Sequence, residues 1–186
     1  MKIFYLSILL LTSAKILGTE NINLTELSKT DIVNTGGSVT AKDAKVSFIN
    51  AGGSIIATNT IAKTLNAGGS FTADQCALLG AIAAGGSIDV SKCPNILSIS
   101  AGGSIKIKDS NISDKLACSS NYLTLEGSNI EKIDMQSSSK NKKEPQILEL
   151  RKCKVRDIFF ESDHGEVILL DQSSVAGTVT GGKIRS

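Results

Sequence analysis

Residues 50–57 read Asn50-Ala51-Gly52-Gly53-Ser54-Ile55-Ile56-Ala57, and residues 66–73 read Asn66-Ala67-Gly68-Gly69-Ser70-Phe71-Thr72-Ala73. The tripeptide Gly-Gly-Ser recurs at 36–38, 52–54, 68–70, 85–87 and 102–104, at spacings of 16, 16, 17 and 17. Ala51, Ala67, Ala84 and Ala101 precede four of the five copies. Recurrence this even is the signature of a repeat architecture and takes precedence over local propensity.

The repeating unit is longer than its tripeptide. Each Gly-Gly-Ser is followed by an apolar residue, a variable one and a second apolar residue. The first apolar column reads Val39, Ile55, Phe71, Ile88, Ile105, Leu123, Leu148 and Ile168. The second reads Ala41, Ala57, Ala73, Val90, Ile107, Leu125, Leu150 and Leu170. A third, of small residues, reads Ala44, Thr60, Cys76, Cys93, Ser110, Ser128, Cys153 and Ser173. An earlier, weaker copy is expected through Thr25, Leu27 and Thr30.

The first two columns are two residues apart, which is strand periodicity. β-Branched residues dominate the first, as strands favour. A unit of about 16 residues is too short for the common helical repeats of 33–47 residues. It fits one coil of a parallel β-helix. The expected fold is therefore all-β: a single β-solenoid of about nine coils, roughly 40 Å long at the inter-strand spacing. Gly-Gly-Ser is read as its corner, where glycine reaches positive φ and lets neighbouring corners stack. A phosphate-cradling loop is excluded, because it needs Lys-Ser/Thr after its glycines and a helix to follow.

First-column spacings lengthen along the chain as 16, 16, 17, 17, 18, 25 and 20. The second column grows from Ala to Leu over the same span, so a rod narrow at its N-terminal end is expected. The step of 25 reflects a loop over 137–145.

Composition agrees. Aromatic residues make up 4% of the 186-residue chain, Trp is absent and Gly numbers 17, which suits stacked small units better than a large globular core. A net charge of +2 lacks the basic excess of a nucleic-acid-binding domain. Met1-Lys2 and the apolar run Ile3–Leu11, followed by Thr12-Ser13-Ala14, read as a secretory signal over 1–18, cleaved after Ala14 or Gly18. The β-helix domain is then 19–186. Loss of 1–18 removes Lys2 and Lys15 and no acid, leaving 18 basic and 18 acidic residues. No later run reaches the ~20 apolar residues of a membrane helix. The expected location is secreted, periplasmic or cell-surface.

The side chains that could carry chemistry are dispersed. Cys76, Cys93 and Cys153 share a column with Ala, Thr and Ser, so they read as small buried residues. Cys118 lies outside that column. A zinc site lacks a CxxC pair, and the single histidine, His164, sits in the turn-forming Asp163-His164-Gly165. Asp43, Asp74, Asp89, Asp109 and Glu126 fall on successive coils but share no column, and Lys42, Lys92, Lys106 and Lys108 are interleaved. That describes a solvated mixed-charge face, not a paired-carboxylate site. No catalytic, cofactor or metal site is expected. One basic segment stands out: Lys140, Lys142, Lys143, Arg151, Lys152, Lys154 and Arg156, a candidate patch for an anionic partner.

The segments Asn34–Ala41, Asn66–Ala73 and Ser100–Ile107, each built on Gly-Gly-Ser, resemble the repeats of filamentous haemagglutinin-type bacterial adhesins. They are also similar to the short β-solenoids of bactofilin-type proteins and of autotransporter adhesin heads. The resemblance implies a right-handed coil and a non-enzymatic binding or structural role, with a cell-surface glycan or envelope protein as partner. It carries over no functional residue. The alternatives are a self-assembling envelope scaffold and a small polysaccharide-active enzyme. The C-terminal stretch from Val175 stops one strand after a glycine corner, so self-association through the C-terminal coil is expected.

Overall fold

A computed structural model describes residues 14–25, 29–137 and 145–185. In chain order its strands begin with β1 (Ala14–Gly18), β2 (Ile22–Thr25), β3 (Lys29–Thr35), β4 (Val39–Lys42), β5 (Lys45–Ala51), β6 (Ile55–Thr58) and β7 (Ile61–Ala67). There follow β8 (Phe71–Asp74), β9 (Leu78–Ala84), β10 (Ile88–Ser91), β11 (Ile96–Ala101), β12 (Ile105–Lys108), β13 (Asn111–Cys118) and β14 (Tyr122–Glu126). The last are β15 (Asn129–Met135), β16 (Gln146–Arg151), β17 (Lys154–Phe160), β18 (Gly165–Leu170), β19 (Ser174–Val175), β20 (Val179–Thr180) and β21 (Gly182–Arg185). No helix occurs among the described residues.

Odd-numbered strands β1 to β19, with β20, form one parallel sheet, and even-numbered strands β2 to β18, with β21, form the other. The chain alternates between them, so each turn adds one strand to each sheet. The result is a β-solenoid of about nine turns. Register follows the columns: Val39, Ile55, Phe71, Ile88 and Ile105 succeed one another in the second sheet. All five are buried, as are Val90, Ile107, Leu125 and Leu150 behind them. The first sheet contributes the facing wall of Val33, Ile49, Leu65, Ile82, Ile99, Leu116, Ile133 and Ile158, buried as well. Even strands from β2 to β12 stay at four residues, so the lengthening repeat adds residues at corners and at bulges such as that between Ile112 and Lys115.

The register corrects the columns at both ends. Near the start, Ile22 pairs with Val39 and Leu24 with Ala41, so the first coil is anchored there and not on Thr25. Leu27 lies outside the described residues. Near the end, Leu148 pairs with Val167 and Leu150 with Leu169, one residue before the expected Ile168 and Leu170. Leu169, only partly buried itself, is the one that packs against the core. The slip arises at the corner. Most coils turn there on one residue of positive φ, whereas this one uses two, Asp171 and Gln172.

The corners themselves are assigned differently from expectation. The glycines of Gly-Gly-Ser do not have positive φ; among glycines only Gly127 and Gly181 do. Most left-handed residues sit at the opposite corner, after the even strands from β4 to β16: Asp43, Asn59, Gln75, Lys92, Asp109, Gly127 and Lys152; Asp163 and Gly181 are left-handed at the other corner, near the C-terminal end. Asp and Asn tolerate that conformation best among residues with a side chain. The Gly-Gly corner requires glycine for close approach instead. A Cβ on Gly52, Gly68, Gly85 or Gly102 would lie 2.4–2.6 Å from the carbonyl oxygen of the equivalent glycine one coil earlier.

The small-residue column closes a buried hydrogen-bond account. Ser110 Oγ accepts from Cys93 N at 3.0 Å and donates to Lys108 O at 2.8 Å. Ser128 Oγ does the same for Ser110 N and Glu126 O, and Ser173 Oγ accepts from Cys153 N. Where the residue is cysteine, sulfur takes the place of oxygen: Cys153 Sγ donates to Arg151 O at 3.2 Å. Among the described residues no buried side-chain nitrogen or oxygen is left without a partner.

Candidate functional site

The basic segment divides around a corner. Arg151 ends β16 and points outward from the second sheet; Lys152 is the left-handed corner residue; Lys154 and Arg156 lie outward on β17 in the first sheet. Cys153 and Val155 alternate with them and are buried. Arg151 is held by Asp171 at 2.8 Å and Glu149 at 3.4 Å, which raises its pKa. Arg156 pairs with Glu131 and, at 3.0 Å, with Asp157. Asp157 is in turn kept below the usual carboxylate range by the backbone N–H and hydroxyl of Thr178. Four of the seven basic residues are thus placed on two faces and the corner between them, with both guanidinium groups committed to carboxylates. Lys140, Lys142 and Lys143 lie outside the described residues.

The acidic residues take three different places. Asp43 and Asp109 are left-handed corner residues, Asp74 and Glu126 end β8 and β14, and Asp89 faces out between Thr72 and Lys106. Each of three has a local partner: Asn59 for Asp43, Ser91 for Asp74 and Lys108 for Glu126. Among the described residues no group of three or more His, Cys, Asp or Glu could hold a metal ion. His164 lies in the turn between β17 and β18. Its backbone N–H donates to Ser162 Oγ at 3.2 Å, and its Nδ1 lies 2.7 Å from Ser162 O.

All four cysteines are free and buried. Cys118, unplaced by the columns, points inward between Ala101 and Met135. Burial pushes its thiol up to about 11. Cys76 and Cys93 stack on successive coils, each sulfur donating to backbone carbonyls, and the neighbouring Cys76 thiol together with burial raises Cys93.

What the columns did not isolate is a set of outward ladders. Asn66 Nδ2 donates to Asn50 Oδ1 and Asn50 Nδ2 to Asn34 Oδ1, each at 2.7 Å. These three line an open groove of about 520 Å³ with Gly52 and Gly68 of the neighbouring corner. Asn129 Nδ2 donates to Asn111 Oδ1 on a later stretch of the same sheet. Beside the glycines, Ser54 N donates to Ser38 Oγ, Ser70 N to Ser54 Oγ, and Ser87 Oγ meets Ser104 Oγ. The signal was present: Asn34, Asn50 and Asn66 each stand two residues before a Gly-Gly pair.

The two ends differ from the shaft. At the N-terminal end Ile16, Leu17, Ile22 and Leu24 line a recess of about 370 Å³. At the C-terminal end β21 pairs with β18 alone. There Ile184 is 46% exposed, although its register mate Val167 is fully buried. Among the described residues no helix is long and apolar enough to cross a membrane.

No protein-family model matches the chain, and no curated protein or solved structure matches it significantly.

Proposed function

We propose that this chain is a non-enzymatic, exported rod that serves as an adhesin-like binding and structural module at the cell surface or in the envelope. The observation that carries this reading is the outward ladder of like polar side chains, Asn34-Asn50-Asn66, repeated one coil apart beside an open groove. A linear array favours an extended, repetitive partner such as a surface glycan, engaged at several equivalent points. The adhesin-like repeat segments support the same reading. The test is binding of the purified rod to an array of envelope polysaccharides, with product analysis of each bound polymer. Retention without new chain ends supports the module; release of shortened chains would establish the polysaccharide-active alternative instead.

A second reading is favoured by the C-terminal end. A one-sided β21 carrying an exposed Ile184 leaves backbone donors and acceptors open to another strand. In that reading the rod is a scaffold subunit that self-associates through its last coil. Sedimentation over a wide concentration range discriminates: a monomer throughout removes the scaffold and leaves the module.

A further inference from the structure

We infer, on the scaffold reading above, that the last coil is received by the first coil of a second copy of this chain, with β21 laid parallel to β2 so that Ile184 stands on Ile22. Self-association is then head-to-tail and in one register.

Both inward columns of the shaft run to both of its ends. In the second sheet Ile22 stacks beside Val39 at the start, and Ile184 beside Val167 at the finish. In the first sheet Ile16 stacks beside Val33, and Val179 beside Ile158. A second copy set on the C-terminal end continues both columns at once, Ile184 to Ile22 and Val179 to Ile16, at the strand spacing of about 4.8 Å. The hydrogen bonds continue as well. The N–H groups of Val39, Ile55, Phe71 and Ile88 donate to the carbonyls of Ser54, Ser70, Ser87 and Ser104 on the next coil, at 2.9–3.0 Å. Ile22 N–H does the same to Ser38 O at 2.9 Å. By that rule the Ile184 N–H meets the Asn21 carbonyl of the second copy, on a strand edge that β21 otherwise leaves open. The same contact covers the exposed Ile184 and fills the recess lined by Ile16, Leu17, Ile22 and Leu24. The β2 edge, with Glu20 before it, survives either of the two leader cleavage points.

Charge sets the direction of growth. Lys183 and Arg185 flank Ile184, and all three are exposed. Arg185 is already held by Glu166 at 2.6 Å. Lys183 falls on Asn21 of the second copy, one place from the exposed Glu20. Where β1 is kept, Lys15 falls over Thr178, the partner of Asp157. Two C-terminal ends meeting would instead set Lys183 and Arg185 against their own copies, and two N-terminal ends would set Glu20 against Glu20. A head-to-tail contact along the shaft is heterologous and does not close, so it grows into filaments.

The test is sedimentation at low ionic strength, with electron microscopy, of the full-length gene product recovered from its own host. It is run as wild type, Glu20→Lys, Lys183→Glu, the double variant carrying both, and Ile184→Asp. These positions are exposed, so each rod should keep the wild-type far-UV spectrum. The wild type should form filaments. Each single charge reversal should raise the concentration needed by about fivefold, the double variant should recover, and Ile184→Asp should lose assembly. Association indifferent to Glu20→Lys or to Ile184→Asp, a double variant no better than Lys183→Glu alone, or a closed dimer overturns the head-to-tail register and leaves self-association standing. A monomer at every concentration overturns both.

Discussion

Gly68 stacks on Gly52 so closely that a Cβ on Gly68 would stand 2.4 Å from the Gly52 carbonyl oxygen. At Gly69 the nearest atom is instead the hydroxyl of Ser54, at 2.8 Å, which can rotate away at the loss of the bond it accepts from Ser70 N. Gly68→Ala should therefore destabilise the rod by about 1–3 kcal/mol through overpacking, and Gly69→Ala by clearly less. Urea midpoints of the two variants check the order; equal losses would refute the close-approach account of this corner.

Ile107 is an interior residue of the long aliphatic stack, and Ile56 an outward one on the same sheet. Ile107→Ala should cost about 2–5 kcal/mol, while Ile56→Ala should stay within about 0.5 kcal/mol. Thermal unfolding followed by far-UV circular dichroism measures both. A helical spectrum, or similar losses at the two sites, would contradict the solenoid.

Ser110→Ala removes the acceptor of the buried Cys93 N–H. Leaving that donor unpaired should cost about 1–3 kcal/mol. Ser110→Cys should recover part of the loss, because Cys76, Cys93 and Cys153 already fill this role with sulfur. No difference between the alanine and cysteine variants would mean the column is chosen for size alone.

The raised Cys118 thiol sets a pH dependence. Its folded-state value of about 11 exceeds the ordinary 9.0. The unfolded chain therefore releases this proton first, and the contribution, complete below pH 9, is lost as pH rises towards 11. The loss should amount to about 1–3 kcal/mol, because each tenfold difference in proton affinity between the folded and unfolded chain is worth about 1.4 kcal/mol. The check compares urea midpoints at pH 8 and pH 10.5 in wild type and Cys118→Ala: the wild type should fall further. Parallel curves would show that Cys118 does not titrate differently on folding.

Because Arg151 and Arg156 are already paired with carboxylates, an anionic polymer should draw more on the exposed Lys152 of the corner and Lys154 of β17. Lys152→Ala with Lys154→Ala should lower the salt needed to elute the rod from a sulfated-polymer column more than Arg151→Ala with Arg156→Ala. The reverse order would mean the arginine pairs open on contact.

Much of the architecture is legible in the chain itself, because a solenoid writes each inward position once per coil. Val39 to Ile105 are spaced by that rule, and their burial follows from it. The rule fails where a coil changes its own length. Asp171 and Gln172 occupy the left-handed region together, and nothing in their side chains announces a two-residue turn, so the inward positions fall on Val167 and Leu169, one place early. Gly-Gly was legible as a corner, but its reason was not. Positive φ and close backbone approach both select glycine, and only the φ angles of the corner glycines themselves, none of them positive, separate the two. The candidate site was the least legible part. Arg151 and Arg156 are near neighbours in sequence, yet alternation and the intervening turn send them to different faces.

The left-handed corner carries one more implication. Asp43, Asn59, Gln75, Lys92, Asp109, Gly127 and Lys152 occupy equivalent backbone positions, one per coil, yet they differ in charge and length. Their side chains answer to no neighbour in the interior, whereas the first glycine of each facing pair, from Gly52 to Gly102, leaves no room for a Cβ. One edge of the shaft is thus fixed by sterics, and the other is a row of interchangeable sockets. Selection can rewrite the electrostatic text along that row, coil by coil at about 4.8 Å intervals, without disturbing the stack that bears it.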